Sequence, residues 1–160
     1  MSEYNVVGTW AMNKAWNIDD GVKSYPWGNP SSGFWSFDHK GNFGLLISIH
    51  PALKIPIDPF SNEPQENWLS PSEPWEVPYK LFRETYTGDS APYAYFGTYT
   101  VTRDPNNPDG PKGTLNLTVN ADIMRGYTDT IQERSFKFVG NNTINVGVPD
   151  EYIRVLTRLT

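Results

Sequence analysis

The chain contains no cysteine and only two histidines among its 160 residues. The first absence excludes a disulfide framework, a thiolate nucleophile and a thiolate metal site. The second leaves too few imidazoles for a dedicated transition-metal centre, so no metal is expected. No apolar run approaches the ~18 residues that a membrane helix needs. The opening "MSEYNVVGTW" has no basic segment ahead of an apolar one, so no signal peptide is expected, and a cytoplasmic location is. In that setting the sequons at Asn116-Leu117-Thr118 and Asn141-Asn142-Thr143 read as chance occurrences. Basic blocks are missing too: the net charge is −5 and spread out, which argues against nucleic acid or an anionic membrane as a partner. There is no nucleophile elbow, phosphate loop or dinucleotide fingerprint. Large enzyme classes fall away with them, and no cofactor is expected.

What the chain does have is aromatic residues and turn formers. It carries six Trp, nine Tyr and eight Phe, with fourteen Pro and thirteen Gly. That mixture suits many short strands joined by turns better than it suits helices. The length fits one domain, residues 1–160, able to bury roughly two-thirds of its unfolded surface.

Strand-like runs, rich in aromatic and β-branched residues and bounded by Gly, Pro, Asn and Asp, recur along the chain. The first spans Thr9 to Asn17 and ends at the turn Asp19-Asp20-Gly21; the connector "SYPWGNPSSG" then leads to Phe34–Phe37. Asp38 to Asn42 reads as a tight hairpin in which Gly41 supplies a positive φ, with Phe43–Ile49 as the return strand. Later runs are Tyr93–Val101, Thr114–Ala121, Asp129–Phe138, Thr143–Val148 and Tyr152–Leu159. Leu115, Leu117 and Val119 alternate with polar neighbours at a period of two, the mark of a half-buried strand.

Residues 50–92 break the rhythm. Eight of the fourteen prolines lie there, and proline has no place inside a central strand. Trp68, Trp75, Tyr79, Leu81 and Phe82 make the segment too apolar for a disordered linker. It reads as an ordered flap holding one short helix near Pro78–Tyr86. Eight antiparallel strands with hairpin links predict an all-β, up-and-down barrel or a two-sheet sandwich, and closure into a barrel removes exposed edges. Eight strands leave an interior just wide enough for side chains or one small ligand.

Gly8-Thr9-Trp10 at the start of the first strand resembles the Gly-x-Trp signature of lipocalin and calycin barrels. The likeness is closer to bacterial and fungal lipocalin-like domains. It rests on Gly8-Thr9-Trp10, Tyr25-Pro26-Trp27-Gly28, Gly33, Asp38–Gly41, Ala94-Tyr95-Phe96-Gly97-Thr98-Tyr99-x-Val101 and Gln132-x-Arg134-x-Phe136. It runs from about residue 6 to 159. The resemblance implies that Trp10 plugs one barrel end and that an arginine of the last strand, Arg158 or else Arg154, lies across its ring. It also implies a small, hydrophobic polyketide- or terpenoid-like ligand of a natural-product pathway. A second copy of the chain is a further partner to consider.

Candidate site residues follow from strand phase. Gln132, Arg134, Phe136 and Phe138 share a face whose aromatics point it inward. A charge brought inside must be paired or must bind something, and for Arg134 the partners considered are Asp38, Asp129, or a ligand carboxylate or enolate. Trp10, Met12, Lys14 and Trp16 share a face of the first strand, which predicts that Trp16 lines the interior. The second strand offers either Phe34 and Ser36 or Trp35 and Phe37. Tyr95 and Tyr99 present phenols from one face of their strand. His50, at the expected barrel mouth, has the chemistry of a general base near neutral pH, whereas His39 sits in a turn. The catalytic candidates are Arg134, Tyr95, Tyr99 and His50, and the binding candidates Trp16, Trp35, Gln132, Phe136 and Trp75. Plain core packing is the competing reading for all the aromatics. The inventory points to a cofactor-free isomerase, cyclase or dehydratase, with a non-catalytic carrier and a filled, purely structural barrel as alternatives.

Overall fold

The computed structural model describes residues 4–48, 93–123 and 127–159. Nine strands run in chain order: β1 (Gly8–Asp19), β2 (Val22–Ser24), β3 (Ser32–Phe37), β4 (Asn42–Ser48), β5 (Tyr93–Arg103), β6 (Lys112–Ile123), β7 (Ile131–Phe138), β8 (Thr143–Val148) and β9 (Tyr152–Arg158). From β3 to β9 each strand pairs antiparallel with the next, β1 pairs with β3, and β1 also pairs with β9. That last pairing, from Trp10↔Arg158 to Asn17↔Tyr152, closes the sheet. The result is an eight-stranded antiparallel barrel of β1 and β3–β9, which leaves no open edge around its girth. The expected helix near Pro78–Tyr86 and the flap at 50–92, with His50 and Trp75, lie outside the described residues. Among the described residues no helix is long and apolar enough to cross a membrane.

The extra strand is β2, which lies between the expected turn at Asp19–Gly21 and the expected connector and was not anticipated as a strand. Asp20 and Gly21 both take positive φ, 47° and 77°. A two-residue turn of that kind matches the twist of a hairpin, so the chain doubles back and pairs Asp19 with Val22.

Inside, the period-two reading holds. Leu115, Leu117 and Val119 are fully buried, each contributing about 1.5–3 kcal/mol by leaving water. Gln132, Phe136 and Phe138 point inward from β7 and are buried, while Ile131 is exposed. The phase of β3 is now settled: Trp35 and Phe37 are buried and Phe34 is not. Phe34, Leu46 and Phe96 lie instead on the outer wall, exposed.

The first strand corrects one expectation. Its register with β9 shifts between Met12 and Lys14, a β-bulge centred on Asn13. One extra residue reverses the alternation, so Trp10 and Met12 point inward before it and Ala15 after it, while Lys14 is exposed. Trp16 therefore faces outward, with the Lys23 ammonium 4.3 Å from its ring centre.

One barrel end is closed. The Arg158 guanidinium lies 4.2 Å over the Trp10 ring and donates to the carbonyls of Val7 (2.8 Å) and Asn5 (2.5 Å). Trp10 Nε1 donates to Val6 O at 2.9 Å. Arg103 reaches in beside them, donating to Gly110 O at 2.6 Å and to Tyr4 O. Two arginines thus tie the N-terminal segment across the end formed by the β3–β4, β5–β6 and β7–β8 turns. At the β3–β4 turn Gly41 has φ 87° as expected, and the Asp38 carboxylate accepts from Lys40 N, Asn42 N and Asn42 Nδ2, each at 2.8 Å.

Candidate functional site

The opposite end of the barrel holds a cavity of about 440 Å³. Its walls include Asn17, Trp27, Trp35, Tyr95, Tyr127, Arg134, Tyr152 and Arg154, and Asp19 and Glu151 stand among its outer residues. Each side chain arrives for a local reason. Asn17 points inward because of the bulge at Asn13 in β1. Trp27 is carried by the connector, where Gly28 N bonds back to Tyr25 O at 3.1 Å and the turn swings the indole into full burial. Tyr127 is held by Asp122, whose carboxylate accepts from Tyr127 N and Thr128 Oγ1, each at 2.8 Å. Tyr152 opens β9 directly after the Val148–Glu151 turn.

Two arginines face this mouth, Arg134 from β7 and Arg154 from β9, with β8 between the two strands. Arg154 is buried; it donates to Trp16 O (3.0 Å), Ile153 O (3.1 Å) and Asn17 Oδ1 (3.1 Å). Its guanidinium also lies 4.5 Å from the Trp27 ring centre and 4.6 Å from that of Tyr152. Arg134 is half-buried, 5.3 Å from the same Tyr152 ring. The Tyr152 ring is therefore flanked by two guanidiniums, an arrangement that cation–π attraction favours by about 1 kcal/mol per contact.

Arg134 donates to its neighbour's carbonyl, Glu133 O, at 2.9 Å and to Gln132 Oε1 at 2.5 Å. The same Gln132 oxygen accepts from the Tyr95 hydroxyl at 3.0 Å. Tyr95, itself buried, meets Phe43 and Tyr127 edge-on, each at 5.8 Å between ring centres. Among the described residues no carboxylate forms an ion pair with Arg134. Asp38 belongs to the hairpin at the closed end, and Asp129 is an exposed turn residue with φ 63°.

Two polar atoms on cavity-lining residues have no hydrogen-bond partner among the described residues: Trp35 Nε1 and the Tyr152 hydroxyl. Burial holds the Tyr152 phenol above its ordinary pKa of 10.0, with the charges of Arg134 and Arg154 pulling the other way. The hydroxyl therefore keeps its proton at neutral pH.

The structure gathers Arg134, Gln132, Tyr95 and Trp35 at the mouth. Tyr99 stands at the other end, donating to Asp38 O at 2.7 Å and meeting Phe37 edge-on at 5.1 Å. Phe136 is buried among the closed-end aromatics, 6.0 Å from Phe138 and beneath Arg103 at 5.3 Å. Sequence reading overlooked Tyr127, Tyr152 and Trp27, and considered Arg154 only as a plug for Trp10. The signal available for Arg154 was its even spacing from Arg158, which puts both on one face of the last strand.

The charge of the barrel interior is thus divided between its ends. Of the arginines described, Arg103 and Arg158 are spent on backbone carbonyls at the closed end, while Arg134 and Arg154 face the cavity. No protein-family model matches the chain, and no curated protein matches it either.

Proposed function

We propose that the barrel binds a small organic molecule at this mouth, with aromatic walls for its body and polar groups for its tip. The observation that carries the reading is the cavity itself: about 440 Å³, lined by five aromatic rings and reached by Arg134 and Arg154. That volume lies within the range of small-molecule sites, roughly 300–1,000 Å³. A filled, purely structural barrel would have no use for it. The likeness to lipocalin-like domains, whose small barrels enclose ligands, points the same way and makes a natural-product intermediate the ligand to try first.

A second reading, a cofactor-free isomerase or cyclase, draws on the Tyr152 hydroxyl, which has no hydrogen-bond partner among the described residues and lies beside Arg134. An arginine that polarises the oxygen, and a phenol that gives its proton to the enol carbon and as phenolate takes up the enol O–H proton, would together convert an enol to its ketone. Simple binding needs fewer assumptions and is the reading preferred.

The test is a thermal-shift and calorimetric screen of small aromatic and terpenoid acids, lactones and ketones. Hits should disappear in Ser24→Trp, which fills the mouth from the exposed hairpin β2 without touching the core. No hit in the screen, or hits that survive Ser24→Trp, would overturn the assignment of the cavity. For ketone hits, exchange of α-hydrogens in deuterated water, lost in Tyr152→Phe, separates an enzyme from a carrier.

A further inference from the structure

Resting on that binding reading, we infer that the molecule this mouth selects is an anion, a carboxylate or enolate on a flat conjugated body, held by Arg134 with the Trp35 indole N–H and the Tyr152 hydroxyl as its other donors. The mouth leaves donors unused. A guanidinium has five N–H donors and no acceptor. Arg134 commits donors to Glu133 O and Gln132 Oε1, which leaves others for a ligand. Its charge is half-buried and meets no carboxylate among the described residues, and a charge brought out of water costs free energy unless paired.

Both unmet groups can donate, and only the phenol can also accept. Trp35 Nε1 can only donate, and it belongs to a residue 3% exposed. The Tyr152 hydroxyl keeps its proton and is likewise without a partner among the described residues. The inner amide acceptors are by contrast largely engaged: Gln132 Oε1 already takes two donors, and Asn17 Oδ1 takes one from Arg154. A ligand offering amines or hydroxyls would find little to accept them, whereas one offering oxygen lone pairs would satisfy groups that are otherwise left bare. Asp19 and Glu151 are exposed at the rim, where water and salt screen them. They exert little pull on a cation there.

The shape of the molecule follows from the walls. Trp27, Trp35, Tyr95, Tyr127 and Tyr152 present rings rather than aliphatic chains, and a planar conjugated anion offers them a face while its oxygens reach the planar guanidinium fork. At about 440 Å³ the space is roughly three times the ~150 Å³ that takes up one benzene ring, which suits two or three fused rings.

The experiment compares acids with their uncharged twins on the full-length chain: benzoate, cinnamate and 2-naphthoate against the corresponding primary amides, by isothermal titration calorimetry. At least one acid should bind about tenfold or more tighter than its amide. Arg134→Met should bring the acid to the level of the amide, and Tyr152→Phe should weaken the acid several-fold. Gln132→Glu, which supplies Arg134 with a carboxylate of the protein's own, should abolish the preference even if Arg134→Met does not fold. Equal binding of acids and amides, with Gln132→Glu without effect, overturns the anion inference and leaves the binding reading intact. If neither acids nor amides bind and the wider screen also yields nothing, both fall.

Discussion

Arg134 and Tyr95 donate to one and the same acceptor, Gln132 Oε1, at 2.5 and 3.0 Å. A side-chain oxygen with two lone pairs is thereby saturated, and the guanidinium and the phenol are fixed relative to each other across β5 and β7. The mouth of the barrel is in this sense assembled before any ligand arrives, so ordering Arg134 is not an additional cost of binding.

That shared acceptor makes the two ends of the contact unequal. Gln132→Leu removes the acceptor from two donors at once and should cost about 1–3 kcal/mol, because buried donors are left without it. Tyr95→Phe removes one donor from an acceptor that keeps Arg134, and should cost about 0.5–1.5 kcal/mol. Urea unfolding of the two variants should rank them in that order. The reverse ranking would mean that the Tyr95 hydroxyl matters through some contact other than Gln132.

At the closed end, Arg158 combines a guanidinium over an indole with two hydrogen bonds to backbone carbonyls. Arg158→Met keeps much of the side-chain volume and loses both kinds of contact, and should destabilise the chain by about 2 kcal/mol. A double-mutant cycle with Trp10→Phe, read by chemical denaturation, isolates the ring contact; a coupling energy near zero would show that Arg158 acts only through the Asn5 and Val7 carbonyls.

How much of this was readable beforehand depended on whether local pattern or backbone irregularity set the position. Leu115, Leu117 and Val119 were legible because β6 runs regularly there and alternation alone decides its faces. The inward phase of Gln132 and Arg134 was legible because Phe136 and Phe138 mark the same face. Trp16 was misplaced because a bulge is a one-residue event with no compositional signal, and at Asn13 it reverses every side chain that follows. β2 was missed because a three-residue exposed strand carries no hydrophobic pattern. Trp27 sits in a connector, where burial depends on the fold of the turn. Tyr152 and Tyr127 begin or precede strands, where phase is undefined until the partner strand is known.

Two strand glycines separate space from propensity. A Cβ on Gly97, beside the register shift between Phe96 and Gly97, would stand 1.8 Å from Thr118 O, a backbone atom of the paired strand. Gly97→Ala therefore forces β5 and β6 apart and should destabilise by more than about 2 kcal/mol, or prevent folding. A Cβ on Gly44 would meet only Phe96 Cβ at an ordinary 3.9 Å. Gly44→Ala should be neutral or stabilising by up to about 1 kcal/mol. Thermal melts of the pair give the comparison directly, and similar melting temperatures for the two would contradict the close approach at Gly97.

The charge of Arg134 should also be readable from the phenol it flanks. Burial raises the Tyr152 pKa above 10.0, and of the charges that pull it back down Arg134 exerts the most, followed by Arg154. A raised pKa in the folded state means that the folded protein holds its proton after the unfolded chain has lost it. The associated stability is complete below pH 10.0 and is lost as pH rises from there through the folded-state value. Arg134→Met removes an attraction that favours the phenolate, so the Tyr152 titration should move to still higher pH and the alkaline loss of stability should extend further upward. Ultraviolet difference titration, with Tyr152→Phe identifying the late-titrating phenol, measures this shift. A downward shift in Arg134→Met would show that water entering the vacated space outweighs the lost charge, and that the mouth is drier with Arg134 in place than its cation–π contact alone requires.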